Sequence, residues 1–108
     1  MKAGELKNRI TLERPRRIAN ALGESVITWE PAADVWAMIR PLGVAETARA
    51  RQAQLTTTHL VVLRYHPDLA ADWRITWNDR IFNIAGITNV DEANTEHRLQ
   101  AVEVTTGG

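Results

Sequence analysis

Apolar and polar residues alternate along several short stretches of this chain, as expected of half-buried β-strands. In the first stretch, NRITLE at residues 8–13, Ile10 and Leu12 lie on one face and polar side chains lie on the other. Pro15 is predicted to end this strand because proline has no backbone N–H to donate. Residues 19–25, ANALGES, contain the Asn, Gly and Ser that favour hairpin connections. The chain is therefore predicted to begin with a strand followed by a turn.

The next two apolar stretches are predicted to form one long, bent strand. They are VITWE at residues 26–30 and DVWAMIRP at residues 34–41, and Pro31 lies between them. Because a proline cannot donate to a central ladder, Pro31 favours a bend at this point. Such a bend is typical of a strand that curls around a barrel.

Both faces of the second half of this strand carry apolar side chains. Trp36 and Met38 share one face, and Val35, Ala37 and Ile39 share the other. Two interpretations follow. The strand contacts the core on one side and a partner on the other, or it is buried on both sides.

Residues 43–57 differ from the strands on either side. They are rich in alanine and place Glu46 three residues before Arg49, so we predict a short helix or a long ordered loop inserted into the sheet. The following stretch, THLVVLRYH at residues 58–66, has the strongest strand pattern in the chain. Its consecutive apolar residues at 60–63 predict burial on both faces and a central position.

The last third of the chain predicts a turn, a hairpin and a final strand. Residues 67–72 are a turn or one helical turn, and residues 74–87 form a hairpin that closes around Asn78 and Asp79. The final strand is HRLQAVEV at residues 97–104.

About six short strands separated by turn signals predict an all-β domain, a small antiparallel β-barrel with one inserted short helix or long loop. The 108 residues form this single domain, 1–108, with the insert at 43–57 and a frayed end at 105–108. The side chains predicted to form the structural core are Ile10, Trp29, Trp36, Ile39, Val62, Ile75, Phe82 and Ile84.

The composition is that of an ordinary globular protein. Hydrophobic residues make up 44% and charged residues 24% of the chain, which argues against wholesale disorder and against a membrane span. The chain has no cysteine, which excludes disulfides and thiolate metal sites and fits a reducing compartment. Residues 1–10 lack an apolar run of secretory-signal length, so we expect cytoplasmic synthesis without export.

Charge is balanced overall but uneven along the chain. Thirteen basic and thirteen acidic residues argue against nucleic-acid binding by bulk electrostatics. Residues 1–17 carry six basic and two acidic side chains, whereas residues 89–103 carry four acidic side chains and one arginine. Copies could meet head to tail through these unlike regions and close into a ring; the alternative is that both regions are solvated surface.

Few residues offer catalytic or metal chemistry. His59 and His66 are an odd number of positions apart, so on a regular strand they point to opposite faces and cannot share a metal; all three histidines are predicted to be surface or rim residues. Ser25, the only serine, lies in a turn without a nucleophile motif. Gly86 stands alone within a strand and favours a bulge or a close backbone contact over a phosphate loop. We predict no enzyme activity, no metal and no cofactor.

Two tryptophans leave a second class of function open. Trp73 and Trp77 share one face of a predicted strand with Ile75 between them. They could be the base-stacking platform of a small OB-like β-barrel that binds single-stranded nucleic acid. Core packing is favoured, because Ile75 belongs to the same face and no basic groove accompanies it.

Four different short motifs follow one another along the chain: L-x-x-R-I, W-A-x-I-x-P, R-Y and R-I-F-x-I. The motifs lie in GELKNRITLERP at 4–15, DVWAMIRPL at 34–42, THLVVLRYHP at 58–67 and DRIFNIAGITNVDE at 79–92. The turn and strand at 23–29 and Glu46 are two further features in the same order. In this order the segments resemble the phage head-tail joining family, the head-closure or stopper proteins of long-tailed bacteriophages.

This resemblance implies a structural, non-enzymatic virion protein. It would assemble as a homo-oligomeric ring below the portal or adaptor protein, seal the DNA channel after packaging and present the docking surface for the tail terminator protein. Any contact with the packaged DNA end would be made to phosphate, without sequence readout. The expected location is the virion, after a stage in the host cytoplasm. The family commonly has a glycine in the turn where this chain has Asn78 and Asp79, which leaves the turn type open.

The resemblance also suggests two functional surfaces. The candidates for an intersubunit or channel-facing surface are Glu46, Arg49 and Arg51. The candidates for contact with the portal or adaptor are Lys7, Arg14, Arg16 and Arg17. Trp36 is predicted to anchor the junction between the barrel wall and the insert, and Arg64 and Tyr65 are predicted to be wall residues.

Overall fold

A computed structural model describes residues 6–42 and 58–104 of the chain. These residues form six strands: β1 Asn8–Ala19, β2 Ser25–Pro41, β3 His59–Arg64, β4 Arg74–Trp77, β5 Arg80–Asn89 and β6 Glu96–Val104. All neighbouring strands are antiparallel, and the sheet closes in the order β1-β2-β3-β6-β5-β4. The predicted all-β barrel is confirmed. The helix or loop predicted at 43–57 and the frayed end at 105–108 lie outside the described residues.

β1 and β2 form a hairpin that is much longer than the barrel wall. They pair along their whole length, but β4 pairs with β1 only at Thr11–Glu13, and β3 pairs with β2 only at Ala37–Pro41. Residues 14–30 therefore project as a two-stranded ribbon, which we call the arm. Its projection accounts for the elongated dimensions of the molecule, 47 × 29 × 27 Å.

The two prolines of this hairpin behave differently from each other. Pro31 was predicted to bend one long strand, and β2 is indeed continuous, with a register shift that leaves Ala32 unpaired beside it. Pro15 was predicted to end β1, and that prediction is wrong, because β1 continues to Ala19. Beyond Glu13 the described sheet gives β1 only β2 as a neighbour, so a residue without an N–H is tolerated along its free edge.

The predicted hairpin between β4 and β5 is confirmed. Asn78 and Asp79 form its two-residue turn, with φ of 50° and 62°. Positive φ at both central residues is the requirement of a type I′ turn, and Asn and Asp adopt it more readily than other side chains. The turn therefore forms without a glycine, which settles the turn type that the sequence left open.

Gly86 lies at a β-bulge, as predicted. The register of β5 against β6 shifts between Ile84 and Gly86, which leaves Ala85 as the extra residue. A Cβ atom at Gly86 would lie 3.0 Å from Oε1 of Gln100, closer than a side chain tolerates without movement of that amide. The bulge lets Ile84 and Ile87 both pack against the core.

The barrel interior holds most of the predicted core. Ile10, Ile75, Phe82 and Ile84 belong to the buried cluster, and Ile39 packs against it. Val62 is also buried, but on the outer side of β3, where its neighbours Val61 and Leu63 face inward; this agrees with the predicted burial of that strand on both faces.

Two tryptophans depart from the predicted core. Trp36 is 51% exposed because its neighbour Ala37, which is fully buried, takes the inward position on β2. The prediction that Trp36 is a core residue is wrong. Trp29 is only half-buried, because it lies on the arm, where there is no barrel interior to enter.

Candidate functional site

The arm carries three of the four arginine and lysine residues predicted to contact a portal or adaptor. On one face, Arg14 donates from Nε to Oε1 of Glu30 at 2.7 Å, and Nη1 of Arg16 lies 3.7 Å from Oε2 of the same carboxylate. Arg17 points to the opposite face beside Ile27, its register partner, and has no ion pair within the described part of the chain. The arm is therefore basic on both faces.

Lys7 does not join this cluster. It precedes β1, whereas Arg17 lies near the far end of the strand. At about 3.3 Å per residue, ten residues of strand separate the two backbone positions by about 33 Å. The structure thus divides the predicted portal-contact residues between the arm and the opposite end of the barrel.

The arm also exposes apolar side chains. Ile18 is 42%, Ile27 is 48% and Leu22 is 81% exposed. Leu22 is held in place by the turn, because the backbone N–H groups of Leu22 and Glu24 both donate to Oδ1 of Asn20 at 2.9 Å. Ile18 and Ile27 lie on opposite faces of the ribbon, so the arm exposes apolar side chains on both faces and at its tip.

A polar and aromatic junction fixes the base of the arm to the barrel. Arg74 of β4 donates from Nε to Oε1 of Glu13 at 2.6 Å, and both side chains are largely buried. The guanidinium of Arg74 also lies 4.5 Å from the centre of the Trp29 ring. These contacts tie Glu13, just before the arm, and Trp29, near the end of the arm, to the wall, so the direction in which the arm leaves the barrel is determined by the fold.

The opposite end of the barrel holds both ends of the connection between β2 and β3. The N–H of Leu42 donates to the carbonyl of Thr58 at 3.0 Å, and the N–H of Glu103 donates to the Thr58 hydroxyl at 2.8 Å. The predicted channel-facing residues, Glu46, Arg49 and Arg51, lie within this connection and outside the described residues. The arm and the connection therefore leave the barrel from opposite ends.

An ion pair near the connection end was not foreseen from the sequence. Arg80 makes a bidentate pair with Glu103, at 2.8 Å from Nε and 2.9 Å from Nη2. Hydrogen bonding from Arg80 holds the pKa of Glu103 below its ordinary value and raises the pKa of Arg80 itself. The guanidinium also lies over the rings of Trp77 and Phe82, so this pair closes one end of the core.

Two of the three histidines are buried, contrary to the prediction that all are surface or rim residues. His59 packs edge-on against Phe82, and its Nε2 lies 3.4 Å from Nη2 of Arg80. His97 packs against Tyr65, and its Nδ1 accepts from the N–H of His66 at 3.3 Å. These ring contacts join residues that are distant in sequence, so a local pattern does not reveal them.

Burial is the main cause that lowers the pKa of both His59 and His97. At His59, Glu103 opposes this shift and Arg80 adds to it. At His97, the neighbouring His66 lowers the pKa further. Below about pH 6.5 the unfolded chain therefore binds more protons than the folded chain. The neutral rings contribute fully to the free energy of unfolding above the pKa of histidine in the unfolded chain. This contribution is lost as the pH falls through the lower pKa values of the folded chain.

We expect the free energy of unfolding, measured by urea titration, to decrease from about pH 7.5 to about pH 5 for this reason. The double variant His59→Gln/His97→Gln should show a shallower dependence over the same range. Because the lowered pKa of Glu103 acts at lower pH, it does not contribute in this window. Equal pH dependence in the two proteins would contradict the assignment.

Trp73 and Trp77 do not form an exposed stacking platform. Trp73 is buried with its ring 5.7 Å from that of His66, and Trp77 packs against the core beneath Arg80. The core-packing interpretation is confirmed. The single-stranded nucleic-acid alternative therefore lacks the surface on which it depended.

Within residues 6–42 and 58–104, no group of His, Asp and Glu side chains is arranged to hold a metal ion. The same residues contain no helix of the length and apolar character needed to span a membrane.

The sequence model of one protein family, phage head completion protein, matches residues 1–105. The fold is similar to the solution structure of protein SF1141 from Shigella flexneri 2a, with a TM-score of 0.77 and 25% identity over 98% of this chain and 99% of that chain. It is also similar to a chain in the virion of the native gene transfer agent particle, with a TM-score of 0.63 and 21% identity over 92% of this chain and 96% of that one; this second likeness concerns the fold alone. None of the curated proteins matches the sequence. Since the family match extends over nearly the whole length, the chain belongs to the phage head completion protein family, a family of structural virion proteins.

Proposed function

We propose that this protein forms a ring at the head-tail junction below the portal or adaptor, closes the DNA channel after packaging and provides the docking surface for the tail. The observation that carries the proposal is the placement of the arm and of the β2–β3 connection at opposite ends of the barrel. A connector must bind the head on one side and the tail on the other, and a barrel whose arm and β2–β3 connection leave from opposite ends meets that requirement. The gene transfer agent virion, which contains a chain of the same fold, supports a role in a particle of this kind.

The arm is the proposed contact with the portal or adaptor. Arg14, Arg16 and Arg17 make it basic, and Leu22 at its tip is the most exposed large apolar side chain of the described residues. Basic side chains around an exposed apolar group combine electrostatic steering with apolar burial on binding. Lys7 lies near the other end of the barrel, so it would not contact the portal or adaptor together with the arginines of the arm.

The β2–β3 connection is the proposed intersubunit or channel-facing segment. Its ends are anchored by the backbone hydrogen bond between Leu42 and Thr58. Glu46, Arg49 and Arg51 within it would contact a neighbouring copy or the DNA end, in the latter case through phosphate. The neutral net charge of the chain suits a channel through which DNA later slides.

The experiment that tests this proposal is deletion of the gene from its phage or prophage, followed by negative-stain electron microscopy of the lysate. We expect complete free tails beside tailless heads that lose their DNA, because nothing would seal the channel or receive the tail. Expression of the wild-type chain from a plasmid should restore tailed particles. Intact tailed particles with normal infectivity in the deletion lysate would contradict head closure.

A further inference from the structure

The two strands of the arm leave backbone groups unpaired along their outer edges. At the arm turn the N–H of Asn20 donates to the carbonyl of Glu24 at 2.8 Å, so from there every second register pair of the arm exchanges backbone hydrogen bonds. The pair formed by Pro15 and Trp29 falls between these positions, which agrees with the inability of proline to donate across the hairpin. The N–H and C=O groups of Trp29 therefore point away from β1, along the outer edge of β2.

The outer edge of β2 offers an uninterrupted set of such groups. Ser25 and Ile27 are separated from Trp29 by even numbers of residues, so each of the three presents one free donor and one free acceptor. β3 does not cover them, since it pairs with β2 only at Ala37–Pro41. Within the described residues no strand lies along this edge. We call Ser25–Trp29 the β2 arm edge.

The side chains of the two arm edges also differ. The β1 edge carries Pro15 and three arginines, and both residue types keep other strands away from an exposed edge. The β2 arm edge has the sequence Ser-Val-Ile-Thr-Trp, which is uncharged and β-branched at its three central positions. Ile27 in its middle is 48% exposed. Only the β1 edge is therefore protected against pairing with another strand.

A neighbouring copy in the same ring is a poor match for the β2 arm edge. Equivalent arms around a ring run in the same direction, so rotation can bring the β2 arm edge of one copy only against the β1 edge of the next. That edge lacks a donor at Pro15 and presents Arg14, Arg16 and Arg17. The matching strand must then come from another protein, and the arm is the part of the chain proposed to meet the portal or adaptor.

We propose that the β2 arm edge binds an extended segment of the portal or adaptor protein as an added β-strand. This inference rests on the proposed contact between the arm and the head, and it specifies the mode of that contact. Main-chain hydrogen bonds to Ser25, Ile27 and Trp29 supply the affinity, and the flanking side chains supply the specificity. The segment that fits is about five residues long and uncharged, with an apolar or β-branched side chain beside Ile27.

Amide hydrogen exchange tests this mode of binding directly. Tailless heads from the deletion lysate would be incubated with the purified chain, and exchange would be measured by mass spectrometry for the free and the head-bound protein. We expect the amides of Ser25, Ile27 and Trp29 to exchange rapidly in the free chain and slowly on heads, because they donate to the added strand only there. The amides of Arg17 and Ala19, on the β1 edge, are the internal control and should exchange rapidly in both states. Unchanged exchange of the β2 arm edge on heads would overturn the proposal.

Single prolines provide a second test with a matched control. Ile27→Pro removes a donor from the β2 arm edge and Ala19→Pro removes one from the β1 edge, and neither N–H takes part in the pairing of β1 with β2. We expect Ile27→Pro to weaken binding to heads, measured by co-sedimentation, at least about 10-fold, whereas Ala19→Pro should bind as the wild type does. Ile27→Thr keeps the donor and a β-branched side chain and should bind more tightly than Ile27→Pro. Thermal unfolding of the variants checks that each remains folded.

The outcomes separate the mode of contact from the function. If the deletion phage is fully infectious, the proposed function fails and the contact with it. If the deletion is defective but the two proline variants bind heads equally, or Ile27→Thr binds as poorly as Ile27→Pro, only strand addition is overturned. Protection of the β2 arm edge in the free chain that rises with protein concentration would identify a second copy as the occupant, and would likewise overturn the proposal.

Discussion

Replacement of Phe82 by alanine is expected to lower the free energy of unfolding by about 3–5 kcal/mol, the range for removal of a large buried aromatic side chain. Phe82 is fully buried on β5, opposite Ile75 of β4, and it also packs against the ring of His59 and beneath Arg80. Its removal would leave a cavity at the point where the core meets the Arg80–Glu103 pair. Small domains have a total stability of about 5–15 kcal/mol, so much of that total would be lost.

Urea unfolding monitored by tryptophan fluorescence measures this effect. The matched control is Asn83→Ala on the next residue of β5, which points outward and is exposed. We expect that substitution to change stability by no more than about 0.5 kcal/mol. Similar losses in the two variants would show that Phe82 is not a central residue of the core.

Removal of the arm is expected to abolish production of infectious particles while leaving the barrel folded. Residues 16–28 would be replaced by Asn-Gly, a two-residue turn that joins the register partners Pro15 and Trp29. The deleted residues include Arg16, Arg17 and the exposed apolar side chains of the arm, and none of them belongs to the core cluster. The Arg74 contacts with Glu13 and Trp29 at the arm base are retained.

The truncated protein would be compared with wild type by thermal unfolding and by complementation of the deletion phage. We expect the midpoint of unfolding to shift by only a few degrees and the lysate to resemble that of the deletion, with free tails and empty heads. Glu24→Gln at the arm turn keeps the length and the arginines of the arm and should complement. A truncated chain that supports normal titres would exclude the arm as an essential contact.

Much of the fold was predictable because alternation along a strand is a local property. Ile10, Ile75 and Phe82 were assigned to the core from their positions in alternating or apolar runs, and they are buried. Alternation does not say which face of a strand turns inward when both faces are apolar. In β2 the small residue Ala37 takes the inward position, and the larger Trp36 points outward. The prediction for Trp36 was wrong because the alternation fits either face.

The candidate surfaces were less predictable because they depend on pairings between distant residues. The arm exists because β3 and β4 cover only part of the β1–β2 hairpin, and no property of residues 14–30 alone shows where the other strands stop. The separation of Lys7 from the arm arginines has the same origin. Arginines neutralise Glu96 and Glu103, so that within the described residues only Asp91 and Glu92 remain without an ion pair in the mainly acidic segment 89–103.

The prolines at the base of the arm also bear on how unassembled subunits avoid aggregation. Among the strands that the structure describes, each strand of the arm has one unpaired edge, and a free strand edge is a template for pairing with another chain. Pro15 on β1 and Pro31 on β2 each remove a backbone donor near the point where the arm leaves the barrel. Continuous edge-to-edge pairing of two arms is thereby interrupted. The two prolines thus hinder the stacking of free copies into extended sheets through their arms.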